Sequence, residues 1–346
     1  MSKSVPATYT IAQLDPHDSE TVAGVYRAAW AGDMAAPSSI RARLEWLYCA
    51  NPAGRAEILV LRAPDESPVG MLALVPRRFW VGGTTQTLGM LCNFIVHRDH
   101  RTLLPALQLQ RAARELARAR GWGTYAIPNE RSLPLIRRLG EQTVALRPRL
   151  ARVIRHREYL LRHSATLGAL ASWPLDTAVW AWDCTLTMFA AGLCAEWGTA
   201  FGHEFDNLWD RVRPHACMGE RSAQFLTWRF RDEPDRTNRV LSIVQRRTGQ
   251  LVSYAVGTIA ADAFEIRDFL HAADQRSLRA AIGLTMRQLR DLGIAKVSFR
   301  LAADLPTTSA FRMLGFRPRE AESVFIHGVN AHRLASAQIT RADEDV

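Results

Sequence analysis

The apolar positions of this chain change period several times. "DSETVAGVYRAAW" and "SSIRARLEWLYC" space their apolar residues as helices do, each after an Asp or Ser that suits a cap. "AEILVLRA" and "VGMLALVPRRFWV" read as strands on either side of "PDESP", a turn-rich break that predicts a hairpin. "TTQTLGMLCNFIV" predicts a further strand, followed by a helix from Thr102 to Gly121. "TYAIP" predicts a short buried strand, "NERSLPLIRRLG" a helix stopping at Gly140, and two strand-like runs continue to about Leu161.

The second half repeats this layout. "LEWLYCANP" places Trp46 six positions before Pro52, and "LTWRFRDEP" places Trp228 six positions before Pro234. Each is followed by a strand, a turn and a second strand, then by a strand, a long helix, a short strand and a helix ending in Leu-Gly (Leu139-Gly140 and Leu314-Gly315). A period this long is a duplicated domain, not a solenoid repeat. The pattern predicts copies over 1–161 and 204–330, with a flexible tail over 331–346. Residues 162–203 between the copies are apolar, rich in tryptophan and free of Lys and Arg from 163 to 210. Pro174, Asp176, Asp183 and Glu196 interrupt any run long enough to span a bilayer, so a helical connector packed between the copies is expected. The missing basic residues argue against an interfacial anchor, although they leave weak membrane association open.

Composition changes the picture in two places. The 346 residues carry a net charge of +10, and the segment from His97 to Arg162 alone holds fifteen arginines against five acids. A local basic patch suits a polyanionic small molecule or nucleic acid. No aromatic-interleaved platform or zinc or helix-turn-helix signature accompanies it, so nucleic acid is not the expected partner. The five cysteines are scattered without CxxC spacing and read as free thiols. "MSKSVPATYT" lacks the apolar run of a secretory signal, and a cytoplasmic setting is expected.

The stretch "VHRDHRTLLPAL" joins the third long strand to the long helix, where backbone N–H groups can hold a phosphate. His97 and His100 lack a third ligand at metal spacing, so no metal is expected. The order of elements, with a basic turn after the fourth strand, resembles the GNAT-type N-acyltransferase superfamily. The family's loop pattern maps onto Arg101, Thr102, Leu103, Leu104, Pro105 and Ala106, with Leu104 in place of the central glycine. "PNERSLPLIRRLG" is similar to the family's asparagine-to-Leu-Gly segment. The resemblance covers both copies, and the tandem layout looks like bacterial two-copy GNAT proteins.

It implies an α/β (α+β) fold of two GNAT-like domains, each a mixed, mostly antiparallel twisted sheet flanked by helices. It also implies acetyl-CoA or another acyl-CoA as cofactor, held by Ile95, Val96, Arg98, Arg101, Thr102, Leu103, Leu104, Ala106 and Asn129. Thr102 is expected to cap the helix, and Pro105 removes one N–H from the turn. The equivalent run of the second copy, with Arg276 and Arg279 nearby, also lacks a loop glycine. The implied reaction is transfer of an acyl group to a small-molecule amine, with an amino sugar or cell-envelope precursor as one acceptor class.

A base is needed, and the strand pattern offers Asp268 in the second copy, where apolar surroundings would raise its pKa unless it pairs with Arg267 or another arginine, and Glu130 in the first. The tyrosine that protonates the leaving thiolate in the family is replaced by Ile136 and Phe311. That loss keeps two other readings open: a catalytically inactive binding protein of the same fold, and a tRNA-dependent aminoacyltransferase of the peptidoglycan-bridge type.

Overall fold

The computed structural model describes residues 9–30, 40–139, 142–161, 165–272, 275–328 and 333–345. Gly140, expected to end a helix, lies outside them, as does the Arg276 side chain. The first half runs β1 (Thr10–Leu14), α1 (Ser19–Trp30), α2 (Ile40–Tyr48), β2 (Glu57–Arg62), β3 (Pro68–Val81), β4 (Thr84–Val96), α3 (Leu103–Ala119), β5 (Gly123–Ala126), α4 (Leu133–Arg138) and β6 (Thr143–Val153). Two helices follow, α5 (Arg157–Leu161) and α6 (Ala165–Thr187). The second half runs β7 (Leu193–Gly198), α7 (His203–Val212), β8 (Met218–Gly219), α8 (Ala223–Leu226), β9 (Arg239–Gln245), β10 (Leu251–Ala260), β11 (Ala263–His271), α9 (Gln275–Asp291), β12 (Lys296–Arg300), α10 (Leu305–Met313) and β13 (Arg317–His327).

Local chemistry explains several of these elements. β3 is apolar almost throughout because both its faces are covered, so its residues do not alternate. α7 carries Glu204 and Asp206 in its first turn and Arg211 in its last, which complements the helix dipole. α3 buries Leu109, Ala113 and Ala117 at helical spacing against the strand residues Leu61, Leu72 and Leu74.

The fold is mixed and mostly antiparallel, as the resemblance implies, but the two halves do not close separately. One sheet runs through the molecule in the order β1-β2-β3-β4-β5-β13-β6-β12-β11-β10-β9-β7. The last strands have changed places. β13 lies against β5 of the first half, with Ile326 opposite Tyr125. β6 lies against β12 of the second, with Leu150 opposite Phe299. The two exchanged strands then pair with each other at the centre. β7 also joins the sheet, beside β9, so the segment expected as a purely helical connector ends in a strand.

Trp46 and Trp228, which revealed the repeat, meet across the halves. Their rings stack with centroids 5.0 Å apart, and each indole N–H donates to the other's carbonyl, at 2.7 and 2.9 Å. One buried cluster accordingly holds residues of both halves, from Val22 to Ala342.

The described part of the expected flexible tail is packed. Ile339 and Ala302 exchange two backbone bonds, and Gln338 donates to the carbonyls of Cys217 and Phe269. Thr340, Ala342 and Asp343 are buried. The tail is polar in sequence because its partners are buried arginines. Arg229 donates to the carbonyls of Arg341, Ala342 and Glu344, Arg221 to the Asp343 carboxylate, and Arg147 to the Thr340 carbonyl.

Candidate active site

β4 and β5 run parallel from Leu88 opposite Gly123 to Met90 opposite Tyr125, and pair no further. The cause is a bulge. Between Cys92 and Ile95, β4 spends one more residue than β3 does between Met71 and Ala73. Asn93 takes the left-handed conformation there, at φ 49°, and its side chain donates to the Tyr48 hydroxyl at 2.6 Å. β11 and β12 repeat the event: they pair from Ala263 to Ile266, and the register of β11 shifts near Arg267. Opposite that shift, a Cβ on Gly257 would come within 2.4 Å of the Glu265 carbonyl, so only glycine fits.

The two gaps differ in what fills them. In the second half the tail takes up the space, through Gln338 on Phe269 and Ile339 on Ala302, and a side cavity of about 360 Å³ remains next to His271 and Asp304. In the first half the gap opens into a cavity of about 320 Å³ between Asn93–Ile95 and Ala126–Asn129. Tyr26 and Trp30 of α1, Arg43 of α2, and the tail residues Asp343, Glu344 and Asp345 line its other side.

Asp345 is one of the carboxylates that line this cavity. Its carboxylate lies near the backbone N–H of Asn93, at the bulge. Burial and the neighbouring Glu344 charge push its carboxyl above the ordinary value, against the pull of that N–H and of Arg43. Arg43 also donates to the Asp345 carbonyl at 3.2 Å, which fixes the end of the tail. Burial raises the Tyr26 hydroxyl, so it keeps its proton at neutral pH. Burial also raises the Cys92 thiol well above its usual range, so this cysteine stays a thiol and a poor competitor for an acyl group.

The basic turn is a single short helical turn, Arg98–His100, before α3. Arg101 does not reach outward from it: its Nε and Nη2 donate back to the Val96 carbonyl at 3.2 and 3.0 Å. Thr102 stands at the cap position in extended conformation, but its side chain makes no cap bond, contrary to expectation. The amides of Leu103 and Leu104 are first-turn donors with no helical carbonyl to pair with, and both side chains point to solvent. Ala106 is half-buried one residue beyond Pro105, and Arg98 is exposed beside Asp99. Ile95 lines the cavity and Val96 is buried at its edge. Asn129 also lines it, its side-chain Oδ1 accepting the backbone N–H groups of Arg131 and Ser132 at 3.1 and 3.0 Å.

The two expected bases lie elsewhere. Asp268 is fully buried, and its oxygens are saturated by Arg221 Nε at 3.0 and 2.9 Å, Tyr254 at 2.8 Å and Thr340 at 2.7 Å. It borders neither gap cavity and serves to anchor the tail through Arg221, which also grips Asp343. The alternation that pointed Asp268 inward is correct; what faces it is an arginine rather than an apolar pocket. Glu130 is exposed and does not line the first cavity. Sequence reasoning missed Asp345, Tyr26 and Arg43. The acidic run "DED" was the one visible signal, and it reads as a solvated terminus until the buried arginines are known.

No family model matches this chain, and no curated protein matches it by sequence. Solved structures do match. A GCN5-related N-acetyltransferase from Anabaena variabilis superposes with a TM-score of 0.65 at 12% identity, over 95% of this chain and 75% of that one. One from Kribbella flavida gives 0.63 at 13% identity, over 97% and 75%. A tandem GNAT protein from the clavulanic acid biosynthesis pathway gives 0.55 at 18% identity, over 92% of this chain and 98% of that one. The fold is therefore that of a tandem GNAT protein.

Proposed function

With the two-copy GNAT fold as premise, we propose that this protein is an acyl-CoA-dependent N-acyltransferase whose working site is the cavity of the first half. The observation that carries the reading is the β4–β5 gap, open at the Asn93 bulge and faced by the Asp345 carboxylate. The thioester arm of acetyl-CoA, or of a longer acyl-CoA, lies in the gap, with its carbonyl towards the N–H groups of the bulge. The pyrophosphate rests on the first-turn amides of α3, which Arg98 and the helix dipole support.

The acceptor is a primary amine. Asp345 draws its cationic form to the cavity and takes the proton that must leave before the nitrogen can attack, while Asp343 and Glu344 beside it are held by arginines. The C–N bond forms, the oxyanion is met by backbone N–H, the C–S bond breaks, and the second proton that the nitrogen gives up passes to the thiolate, through the Tyr26 hydroxyl or water as a relay. An amino sugar or cell-envelope precursor remains the acceptor class we favour. Binding without catalysis is the second reading, favoured by Leu104 in the turn and Ile136 in the tyrosine position.

One experiment separates the two. Calorimetry with acetyl-CoA and desulfo-CoA is paired with release of free CoA thiol in the presence of a panel of amines. Micromolar binding with amine-dependent thiol release supports the transferase. Binding without release for any amine supports the binding protein, and no binding to millimolar concentration sinks both.

A further inference from the structure

The α6 helix lies outside everything the proposed reaction uses. Its inner face holds Ser172, Asp183 and Leu186, and it packs on α9, where a Cβ on Gly283 would come within 2.8 Å of the Leu186 Cβ. The rest of the helix faces outward. Trp173 is 76% exposed, Trp180 53% and Trp182 51%, with Leu175 also exposed and Met188 just beyond the helix end. Helical spacing puts Trp173 and Trp180 on one flank and Leu175 and Trp182 on the other, with Ala178 and Ala181 between them. So many indoles exposed on one helix form an interaction surface, not scattered surface residues.

Charge decides what that surface fits. The acids of α6 in this region are engaged: Asp176, in the groove beside Trp173 and Trp180, accepts from the His156 backbone N–H at 2.7 Å and ring at 2.9 Å, and Asp183 pairs with Arg152 at 2.5 Å and Arg290 at 3.5 Å. Between the tryptophans, the outermost positions of this face, Ala178 and Ala181, carry no charge that opposes burial. Basic groups flank it. Arg157 borders the same shallow groove as Trp173 and Trp180. On α9, Arg279 and Arg287 are exposed and share the helical stripe of Gly283, the residue that touches α6. The basic residues that the sequence of this segment lacks are brought to it by the fold.

We propose that α6 is an interfacial helix that docks the protein on an anionic lipid surface. Trp173, Trp180 and Trp182 enter the boundary between headgroups and acyl chains, and Arg157, Arg279 and Arg287 meet lipid phosphates. The helix lies on the surface and does not cross: among the described residues no helix is long and apolar enough to span a membrane.

The test is co-sedimentation of the full chain with vesicles of phosphatidylcholine alone and of phosphatidylcholine with phosphatidylglycerol at about 3:1, with tryptophan emission recorded. Binding to the anionic vesicles, a blue shift, and loss of binding with added salt are expected. The triple variant Trp173→Ala/Trp180→Ala/Trp182→Ala loses at least about tenfold in partitioning. Should that variant fail to melt like the parent, Arg157→Glu/Arg287→Glu decides instead, by losing the preference for anionic lipid. No binding at millimolar lipid overturns the proposal. So does binding that the tryptophan variant leaves unchanged, since the basic segment elsewhere would then be responsible. A dimer that forms through these tryptophans without vesicle binding assigns the face to a second copy and overturns it too.

Discussion

At the scale of single residues, the proposed chemistry concentrates on Asp345. A base acts only when deprotonated, and a carboxyl raised by burial and by Glu344 loses its proton at higher pH than an ordinary one. The rate with a fixed amine therefore falls as pH drops through a value above the ordinary carboxylate range of about 4. Asp345→Asn is expected to lower kcat by about 10²–10⁴ and to remove that acid limb, while leaving desulfo-CoA affinity unchanged. An unaltered pH–rate profile in this variant would exclude Asp345 as the base. Arg101 makes a different prediction. Its two bonds to the Val96 carbonyl hold the turn against the end of β4, so Arg101→Ala raises the KM for acyl-CoA several-fold with little change in kcat. Residue-scale function was the least legible in the sequence. Alternation along β11 gave the right direction for Asp268, yet its partner Arg221 lies 47 positions away and no local pattern announces it. Asp345 was hidden for the converse reason: an acid near a chain end looks solvated unless the cavity it enters is already known.

At the scale of elements, the reading was far better, because helices and strands are written in local periodicity. The hairpin at "PDESP", the long helix after the basic turn and the recurrence of Trp46 at Trp228 all stand where the pattern put them. The failures fall where tertiary contacts override local signals. The polar tail became a packed strap because Arg147, Arg221 and Arg229 pair with its carbonyls and carboxylates. Trp46→Ala tests the contact between the halves. It removes a buried ring and takes from the Trp228 carbonyl the indole N–H that it accepts, so a loss of about 3–5 kcal/mol is expected in urea unfolding. A change below about 1 kcal/mol would mean that the stacked pair is not part of the cooperative core.

At the scale of the whole molecule, buried ion pairs hold the second half together and tie it to the tail, and titration of the pairs around Glu233 sets an acid limit. Burial alone would raise the Glu233 carboxyl, but the charge of Arg229 and the bonds and charge of Arg267 outweigh it and hold it at about 2 instead of 4.5. A depressed carboxyl stabilises the fold fully above its unfolded value. That contribution is lost as pH falls from about 4.5 towards 2. Glu233→Gln should flatten the dependence of the urea midpoint on pH across that window, and an unchanged slope would show that other carboxylates govern acid unfolding.

The exchange of β6 and β13 has a consequence for how the chain is made. When the ribosome has released the first 161 residues, the strand that must lie beside β5 is still more than 150 residues from being synthesised. The nascent first half therefore waits with an open sheet edge, and its cavity is walled only when the final tail residues arrive. Any product that stops before β13 lacks that strand and the Asp345 carboxylate together. Competence for the proposed reaction is thus deferred until β13 and Asp345 have both been made, and a chain without β13 offers an unpaired β5 edge, a template for pairing with another chain.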